Sequence, residues 1–207
     1  MKVLVLNPNT TKAMTDAVSS VLRGKVDSSV EILGLTASTG CAVIDSTESY
    51  EIGAQGVTSL FAQAPEDVTH VVLACFGDPG LNQLCAVCKL PVIGLAKTAF
   101  TYAAANGVQA AVITIGEQWG PMLYKYMDSL KIPVGLISIY TLKGNGKQLI
   151  EDPEGFRTKV FSQSVIAAER GARILFLGGA AFADLTFKID PRLQLVDVLD
   201  LVVQQLT

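Results

Sequence analysis

Short apolar runs rich in β-branched residues alternate with helical patterns along the whole chain. This alternation is typical of parallel strands that are joined by helices. The predicted strands cover residues 2–6, 30–34, 69–74, 91–94, 109–114, 134–140 and 173–178. The predicted helices cover residues 10–23, 47–63, 80–87, 97–105, 119–129, 153–170 and 192–206. The sequence therefore predicts an α/β fold built on parallel sheets.

Several predicted helices begin or end on recognisable capping residues. Thr10 or Thr11 is predicted to cap the first helix. Asp152 followed by Pro153 predicts the start of a long helix, because proline is favoured at the first helical position. Left-handed glycine caps are predicted just past three helical patterns, at Gly24, Gly107 and Gly171.

The two halves of the chain resemble each other. Apolar strands end on small residues at 71–77 and at 174–179, and each follows a long helix. This predicts two similar Rossmann-like (flavodoxin-like) halves related by a pseudo-twofold, with a site in the cleft between them. The first half is predicted to cover residues 1–96, with the C-terminal helix 190–207 packing on it, and the second half to cover 97–189.

Composition excludes several classes of protein. Hydrophobic residues make up 50% of the chain and charged residues 17%, which is typical of a globular protein. The formal net charge of −3 argues against nucleic acid as a partner. No apolar run reaches the roughly 18 residues of a membrane span, and the N-terminus is typical of a strand rather than of a signal peptide. We expect a cytoplasmic protein that does not bind a membrane.

The four cysteines, at positions 41, 75, 85 and 88, are expected to be reduced thiols in the cytoplasm. Cys85 and Cys88 have the CxxC spacing, but the second CxxC or histidine pair that a zinc site needs does not follow. We interpret them as two core residues one helical turn apart and predict no metal site. The only histidine, His70, precedes a strand, which disfavours Ser-His-Asp catalysis.

Cys75 is the strongest candidate for chemistry. It ends the apolar run 71–74 and precedes a loop and a helix. The carboxyl end of a parallel strand is where open α/β sheets bind ligands. Partial positive charge at the amino end of the following helix favours thiolate over thiol. Asp78, in the same loop, is expected to support the loop rather than to transfer a proton.

A polar turn follows the first predicted strand. Its side chains are Asn7, Asn9 and Thr10. Amides, a hydroxyl and free helix N–H groups suit a carboxylate, an imide or a phosphate. The turn is not a P-loop, because it lacks the glycines and the lysine of that motif. A capping role and a binding role are compatible here.

Other polar residues also follow predicted strands. The hydroxyl-rich loop 38–50, with Ser46 and Tyr50, is either an ordinary surface loop or a cover over the site. Lys97 follows the strand 91–94 and is either solvated or placed to attract an anionic substrate. Thr114 opens a polar loop after the strand that begins the second half.

The chain resembles the Asp/Glu/hydantoin racemase superfamily over nearly its whole length, and most of all the hydantoin/allantoin racemase branch. The longer strings that carry the resemblance are Asn7-Pro8-Asn9-Thr10, Ile44-Asp45-Ser46 with Glu48-Ser49-Tyr50, and Ala74-Cys75-Phe76-Gly77-Asp78-Pro79-Gly80-Leu81. The shorter ones are Pro91-Val92-Ile93-Gly94, Leu177-Gly178 and Ala183-Asp184-Leu185. The string from Cys75 to Gly80 is the most specific.

The resemblance implies a reaction without a cofactor, in which one cysteine removes the proton beside a carbonyl and another returns a proton to the opposite face. Cys75 matches the first cysteine. The second falls where this chain has Gly179, and a glutamate of that branch is replaced by Lys97. The implied substrate is a small molecule with a carboxylate or an imide, such as a hydantoin, allantoin or an amino acid. A homo-oligomer is also compatible with the resemblance.

Three functions remain open. The first is a racemase or epimerase whose second proton comes from Lys97, Tyr124 or water. The second is a one-face lyase of the arylmalonate decarboxylase type, in which Cys75 protonates the enolate that loss of CO2 leaves. The third is a binding relative without catalysis. In each active version, N–H and O–H donors must stabilise an enolate. The candidate donors and lining residues are Asn7, Asn9, Thr10, Phe76, Gly77, Gly179 and Ala180.

Overall fold

A computed structural model describes residues 1–182 and 185–206. Ala183 and Asp184, which contribute to the resemblance, lie outside the described residues. The chain divides into two compact units, the first made of Met1–Thr98 with the C-terminal segment from Leu199, and the second of Ala99–Val198. Within the described part of the chain, no helix is both long enough and apolar enough to span a lipid bilayer.

The first unit contains a four-stranded parallel sheet. Its strands are β1 (Lys2–Asn7), β2 (Glu31–Thr36), β3 (His70–Leu73) and β4 (Val92–Gly94). Its helices are α1 (Lys12–Lys25), α2 (Thr47–Phe61), α3 (Leu81–Val87), the first turn of α4 (Leu95–Asn106), and α8 (Val198–Leu206) from Leu199 onward. The strand order is β2-β1-β3-β4, and Leu6 of β1 pairs with Leu35 of β2 and with Leu73 of β3.

The second unit repeats this arrangement. Its strands are β5 (Ala110–Ile115), β6 (Ile137–Leu142), β7 (Ile174–Gly178) and β8 (Gln194–Leu195). Its helices are the rest of α4, α5 (Trp119–Ser129), α6 (Gly146–Glu151) and α7 (Pro153–Glu169), with a 3-10 turn at Ala180–Phe182. The parallel order β6-β5-β7-β8 matches that of the first sheet strand for strand. The prediction of two similar α/β halves is therefore confirmed.

The central strands of both sheets lie in the core. Residues 3–6 of β1 and 110–113 of β5 are each no more than 2% exposed. A parallel strand covered by helices on both faces needs a continuous apolar run, which explains why these segments do not alternate with polar residues. The candidate polar side chains therefore sit at or past the carboxyl ends of the strands.

Most predicted helix ends are confirmed. Asp152 caps α7 by accepting the N–H of Gly155 at 2.9 Å, with Pro153 at the first helical position. Gly107 and Gly171 have positive φ values of 60° and 99°, as left-handed caps require. The cap predicted at Gly24 is wrong, because α1 continues to Lys25.

Two other boundaries differ from the sequence prediction. The helix predicted over 192–206 is shorter, because Gln194–Leu195 add to the edge of the second sheet as β8 and α8 begins only at Val198. The strand predicted over 134–140 begins at Ile137, because a turn precedes it in which the N–H of Leu136 donates to Pro133. The helix α6 was not predicted.

Candidate functional site

In the first unit, most of the predicted site residues lie just past the carboxyl ends of strands. Asn7 ends β1, Cys75 follows β3 by two residues, and Lys97 follows β4 by three. The loop after β2 leads to Ser46, which caps α2. Parallel strands present their carboxyl ends at one edge of the sheet, so these segments share the edge at which α/β sheets bind ligands.

Asn7 organises the polar turn after β1. Asn7 is 0% exposed, and its Nδ2 donates to Oδ1 of Asn9 and to Oγ1 of Thr15, both at 3.0 Å. Its Oδ1 accepts the N–H of Asn9, and Oδ1 of Asn9 in turn accepts the N–H of Thr11. These bonds satisfy the hydrogen-bonding groups of the buried Asn7 amide and fix the conformation of the turn. Thr10, which is half-buried, is the residue of the turn that remains accessible to a ligand.

The loop after β2 is attached to this turn. The N–H of Thr10 donates to the carbonyl of Cys41 at 3.0 Å, and Oγ1 of Thr11 donates to Ala42 at 2.7 Å. Thr11 occupies the N-cap position of α1, but its side chain makes no capping bond. The predicted hydroxyl cap is therefore wrong, because that hydroxyl holds the loop instead. The loop 38–50 is thus attached to the polar turn.

Ser46 and Tyr50 begin α2 beside the Cys75 loop. Ser46 forms a capping box with Ser49, whose N–H it accepts. The hydroxyl of Tyr50 donates to the carbonyl of Gly77 at 3.0 Å. Burial, followed by the negative charges of Asp78 and of an ionised Cys75, raises the pKa of Tyr50 to about 12. Tyr50 is therefore neutral near pH 7 and has its hydroxyl bonded to the loop that carries the candidate thiol.

The Cys75 loop is a tight turn. Ala74 still bonds to β1 through its N–H, which donates to Leu6, and Cys75 is the next residue. The N–H of Asp78 donates to the carbonyl of Cys75 at 3.0 Å. Gly77 has a φ of 126°, a conformation that favours glycine, so the turn after the cysteine depends on its lack of a side chain. Cys75 itself is half-buried, and Phe76 is buried.

The surroundings of Cys75 affect the pKa of its thiol. Burial, and then the negative charge of Asp78, raise the pKa of the Cys75 thiol above its ordinary value. This raised pKa disfavours the expected thiolate in the unliganded protein, and the thiolate stays a prediction. The helix that follows, α3, begins only at Leu81, six residues later, so its amino end does not follow the sulfur directly.

Asp78 supports two elements at once. Its carboxylate is 1% exposed and accepts the N–H groups of Ala96 at 3.1 Å and of Lys97 at 2.7 Å. The supporting role predicted for Asp78 is confirmed. Lys97 has its backbone N–H in this bond, and the residue is exposed.

In the second unit, the predicted residues lie at the ends of β5 and β7. Oγ1 of Thr114 donates to the carbonyl of Gly178 at 2.6 Å. Gly179 has a φ of 139°, and among the described residues the nearest atom to a Cβ built there is Cδ2 of Phe182 at 3.9 Å. Gly179 and Ala180 are both half-buried. The backbone of this segment thus disfavours a side chain at Gly179.

The other candidates are placed away from these strand ends. The hydroxyl of Tyr124 accepts the N–H of Ile139, the third residue of β6, which places it beside the middle of an edge strand. Cys88 packs in the core beside Leu84, and Cys85 is exposed, so only Cys88, the second cysteine of the CxxC pair, is a core residue as interpreted. Among the described residues, no three histidine, cysteine or carboxylate groups are arranged so that they could hold a metal ion.

Two threonines at this edge were missed by the sequence reasoning. Thr15 accepts from Asn7 and shares a 2.6 Å hydrogen bond with Thr36, the last residue of β2. Thr15 is one of the four buried residues of α1, with Val18, Ser19 and Leu22. A hydroxyl on the apolar face of an amphipathic helix, near a buried asparagine, was the signal that could have identified it.

The family model described as Asp/Glu/Hydantoin racemase matches residues 3–206. The hydantoin racemase of Pseudomonas sp. (strain NS671) is 29% identical over 205 residues, which cover 98% of this chain and 82% of that protein. The allantoin racemase of Klebsiella pneumoniae has 25% identity and a TM-score of 0.86, covering 99% of this chain and 85% of that one. The allantoin racemase of Pseudomonas fluorescens has a TM-score of 0.90 at 22% identity, covering 99% and 88%.

Proposed function

Since this chain belongs to the Asp/Glu/hydantoin racemase family, we propose that it moves a proton without a cofactor, at a carbon next to a carboxylate or imide carbonyl. The chain is a racemase, an isomerase of that family. Its substrate in this proposal is a small hydantoin, allantoin or amino-acid-like molecule. Cys75 is the group that transfers the proton.

The observation that carries the proposal is the position of Cys75. It is a half-buried thiol one residue beyond the last bond between β3 and the central strand, at the carboxyl edge of a parallel sheet. The turn at Asn7 and the hydroxyl of Tyr50 hold the segments around it. A nucleophilic or acid–base group held this rigidly meets the geometric requirement for proton transfer.

The raised pKa of Cys75 fits proton transfer to and from carbon. Burial and the charge of Asp78 raise that pKa, so the sulfur rests as a thiol and can donate a proton. Its thiolate, once formed, is a stronger base than an ordinary thiolate, which suits the weakly acidic C–H beside a carbonyl. The developing enolate needs donors in place, and the proposed ones are the backbone at Phe76, Gly77 and Ala180.

Lys97 is proposed to attract the substrate. The residue is exposed on the first turn of α4, in the same unit as Cys75, and its backbone is fixed by Asp78. A flexible ammonium serves as a point charge for a carboxylate or for an ionised imide. Asn9 and Thr10 complete the proposed binding residues of the first unit, and Thr114 and Gly179 those of the second.

Gly179 favours a second candidate, a lyase that works on one face. Glycine carries no acid or base, so a reaction that inverts carbon needs its second proton from another group. Decarboxylation of a disubstituted malonate needs only one protonation, and Cys75 suffices for it.

The test follows one enantiomer of a 5-substituted hydantoin in D2O by NMR and polarimetry. Wild type is expected to exchange the C5 proton and to lose optical rotation. Cys75→Ala is expected to lower exchange by about 10²–10⁴-fold, because general acid–base groups contribute that much. Cys85→Ser is the matched control, since Cys85 is exposed on α3 and outside the proposed site.

The possible results separate the candidates. Deuterium uptake without loss of rotation supports one-face chemistry, and CO2 release from a disubstituted malonate supports the lyase. Full exchange by Cys75→Ala would contradict the proposed role of the thiol. A cytoplasmic location and a homo-oligomer stay predictions.

A further inference from the structure

The carboxylate of Asp78, three residues after Cys75, is buried and accepts two backbone N–H groups. Its two oxygens bind the N–H groups of Ala96 and Lys97, the second and third residues of α4. Bonds from N–H groups to a carboxylate are strong, and negative charge is favourable at the amino end of a helix. These two bonds allow a carboxylate to remain buried at 1% exposure.

Asp78 also shapes the turn that carries the sulfur. Its backbone has a φ of 54°, and its N–H donates to the carbonyl of Cys75. Gly94 ends β4 directly under the carboxylate, since a Cβ added there would fall 2.5 Å from Oδ2 of Asp78. The loop after β3, the end of β4 and the start of α4 are thus joined through one side chain.

The charge of Asp78 acts on both ionisable groups that face it. It is the second cause, after burial, of the raised pKa of Cys75 and of the raised pKa of Tyr50. The charged or titratable groups that act on or with the sulfur are thus Asp78 from its own loop and Tyr50 from α2. Lys97, on α4, is linked to them through its N–H, which donates to Asp78.

We propose that Asp78 is a positioning residue for Cys75: one carboxylate binds the loop that carries the sulfur to the helix that carries Lys97, and its fixed charge acts on the sulfur. The proposal rests on the proposed role of Cys75 in proton transfer. Its consequence is that Cys75 rests protonated and is a strong base when it is deprotonated. A cap that only stabilised α4 would have no such effect on the sulfur.

The test is the pH dependence of Cys75 alkylation in Asp78→Asn. Asparagine keeps the size of the side chain and tolerates a positive φ, but it removes the charge. Iodoacetamide modifies Cys75, and mass spectrometry of the peptide that contains it gives the rate at each pH. We expect the profile of Asp78→Asn to move to lower pH and the rate at pH 8 to rise about three- to tenfold.

Asp152→Asn is the matched control. Asp152 also accepts a helix N–H, that of Gly155, but it is exposed and belongs to α7 of the second unit. Its Cys75 profile is expected to coincide with that of wild type. A profile of Asp78→Asn that coincides with wild type as well would overturn the proposal.

Gly94→Ala tests the mechanical link without changing the charge. The added methyl group would fall 2.5 Å from Oδ2 of Asp78, so we expect it to displace the carboxylate from Ala96 and Lys97. We expect proton exchange from the hydantoin to fall at least tenfold, with α-helical circular dichroism retained. Gly56→Ala is its control, because a Cβ there meets nothing within 4 Å. If Gly94→Ala exchanges the hydantoin proton at the wild-type rate, the proposed link between the Cys75 loop and α4 is overturned. This test remains available if Asp78→Asn does not fold.

Failure of this proposal and failure of the proposed function are distinguishable. Alkylation of Cys75 requires no turnover, so its pH profile reports on Asp78 even if the substrate is wrong. If Cys75→Ala exchanges the hydantoin proton at the wild-type rate, the thiol has no catalytic role. The pH profile of Cys75 alkylation in Asp78→Asn would still report on Asp78. A shifted profile with unchanged hydantoin exchange in Asp78→Asn would contradict the role of Asp78 in catalysis.

Discussion

The segments that follow β3 and β7 occupy matching places in two sheets of the same strand order. Cys75 comes one residue after Ala74, which still bonds to the central strand β1. Gly179 comes one residue after Gly178, which pairs with Thr114 of the central strand β5. One sheet therefore presents a thiol at this place, and the other presents a hydrogen atom.

The structure around the two positions differs as much as the residues themselves. The Cys75 loop is held by a buried carboxylate and by the hydroxyl of Tyr50. After Gly179 the chain makes a 3-10 turn, in which the N–H of Phe182 donates to the Gly179 carbonyl, and no ionisable group precedes Phe182 in that turn. The comparison teaches that a repeated fold conserves strand order while reactive groups, with their supports, can be kept at only one sheet.

The largest expected effect is the loss of stability when the polar residue at the end of the first central strand, β1, is replaced. Asn7→Ala removes a buried amide that makes four hydrogen bonds, three as donor and one as acceptor. It leaves Asn9 and Thr15 without their partner, so we expect the free energy of unfolding to fall by about 2–4 kcal/mol. Urea unfolding followed by circular dichroism measures it. A loss below about 1 kcal/mol would mean that the turn is not held by this amide.

A thiol introduced after β7 would remove the difference between the two sheets and test it directly. The Cβ of Gly179→Cys meets the described residues only at ordinary contact distance, although a φ of 139° will cost about 1–3 kcal/mol of stability. If the position is that of the opposite-face acid, racemisation of the hydantoin should rise about tenfold or more. Gly179→Ala carries the same backbone strain without a thiol and is the control. Equal racemisation by the two variants would show that this position does not face the substrate carbon.

The smallest expected effect is at the end of the second central strand. Thr114→Val keeps the shape of the side chain but removes the bond to the buried carbonyl of Gly178. We expect a loss of about 1 kcal/mol, the usual net value of one hydrogen bond. The same urea experiment measures it, beside Asn7→Ala. If Thr114→Val lowers the free energy of unfolding as much as Asn7→Ala does, the ends of β1 and β5 do not differ in how much they stabilise the fold.

The strands and most helices were predictable because their signals are local. Apolar runs such as 71–74 and 174–177 favour buried strands, and Asp152 with Pro153 favours the start of a helix. The short strand β8 was missed, since two residues at a sheet edge have no periodicity of their own. The cap at Thr11 was wrong because its hydroxyl binds Ala42, a partner 31 positions away.

The amino-acid sequence by itself determined the α/β class, the repeat and the place of Cys75 at a strand end, because apolar periodicity and turn residues act between near neighbours. Only the tertiary structure decided the surroundings of that sulfur. Burial and the charge of Asp78 raise the pKa of Cys75, whereas the sequence predicted a thiolate from the next helix. The amino end that matters belongs to α4, where the carboxylate of Asp78 takes the N–H groups, and such long-range electrostatics exist only once the chain has folded.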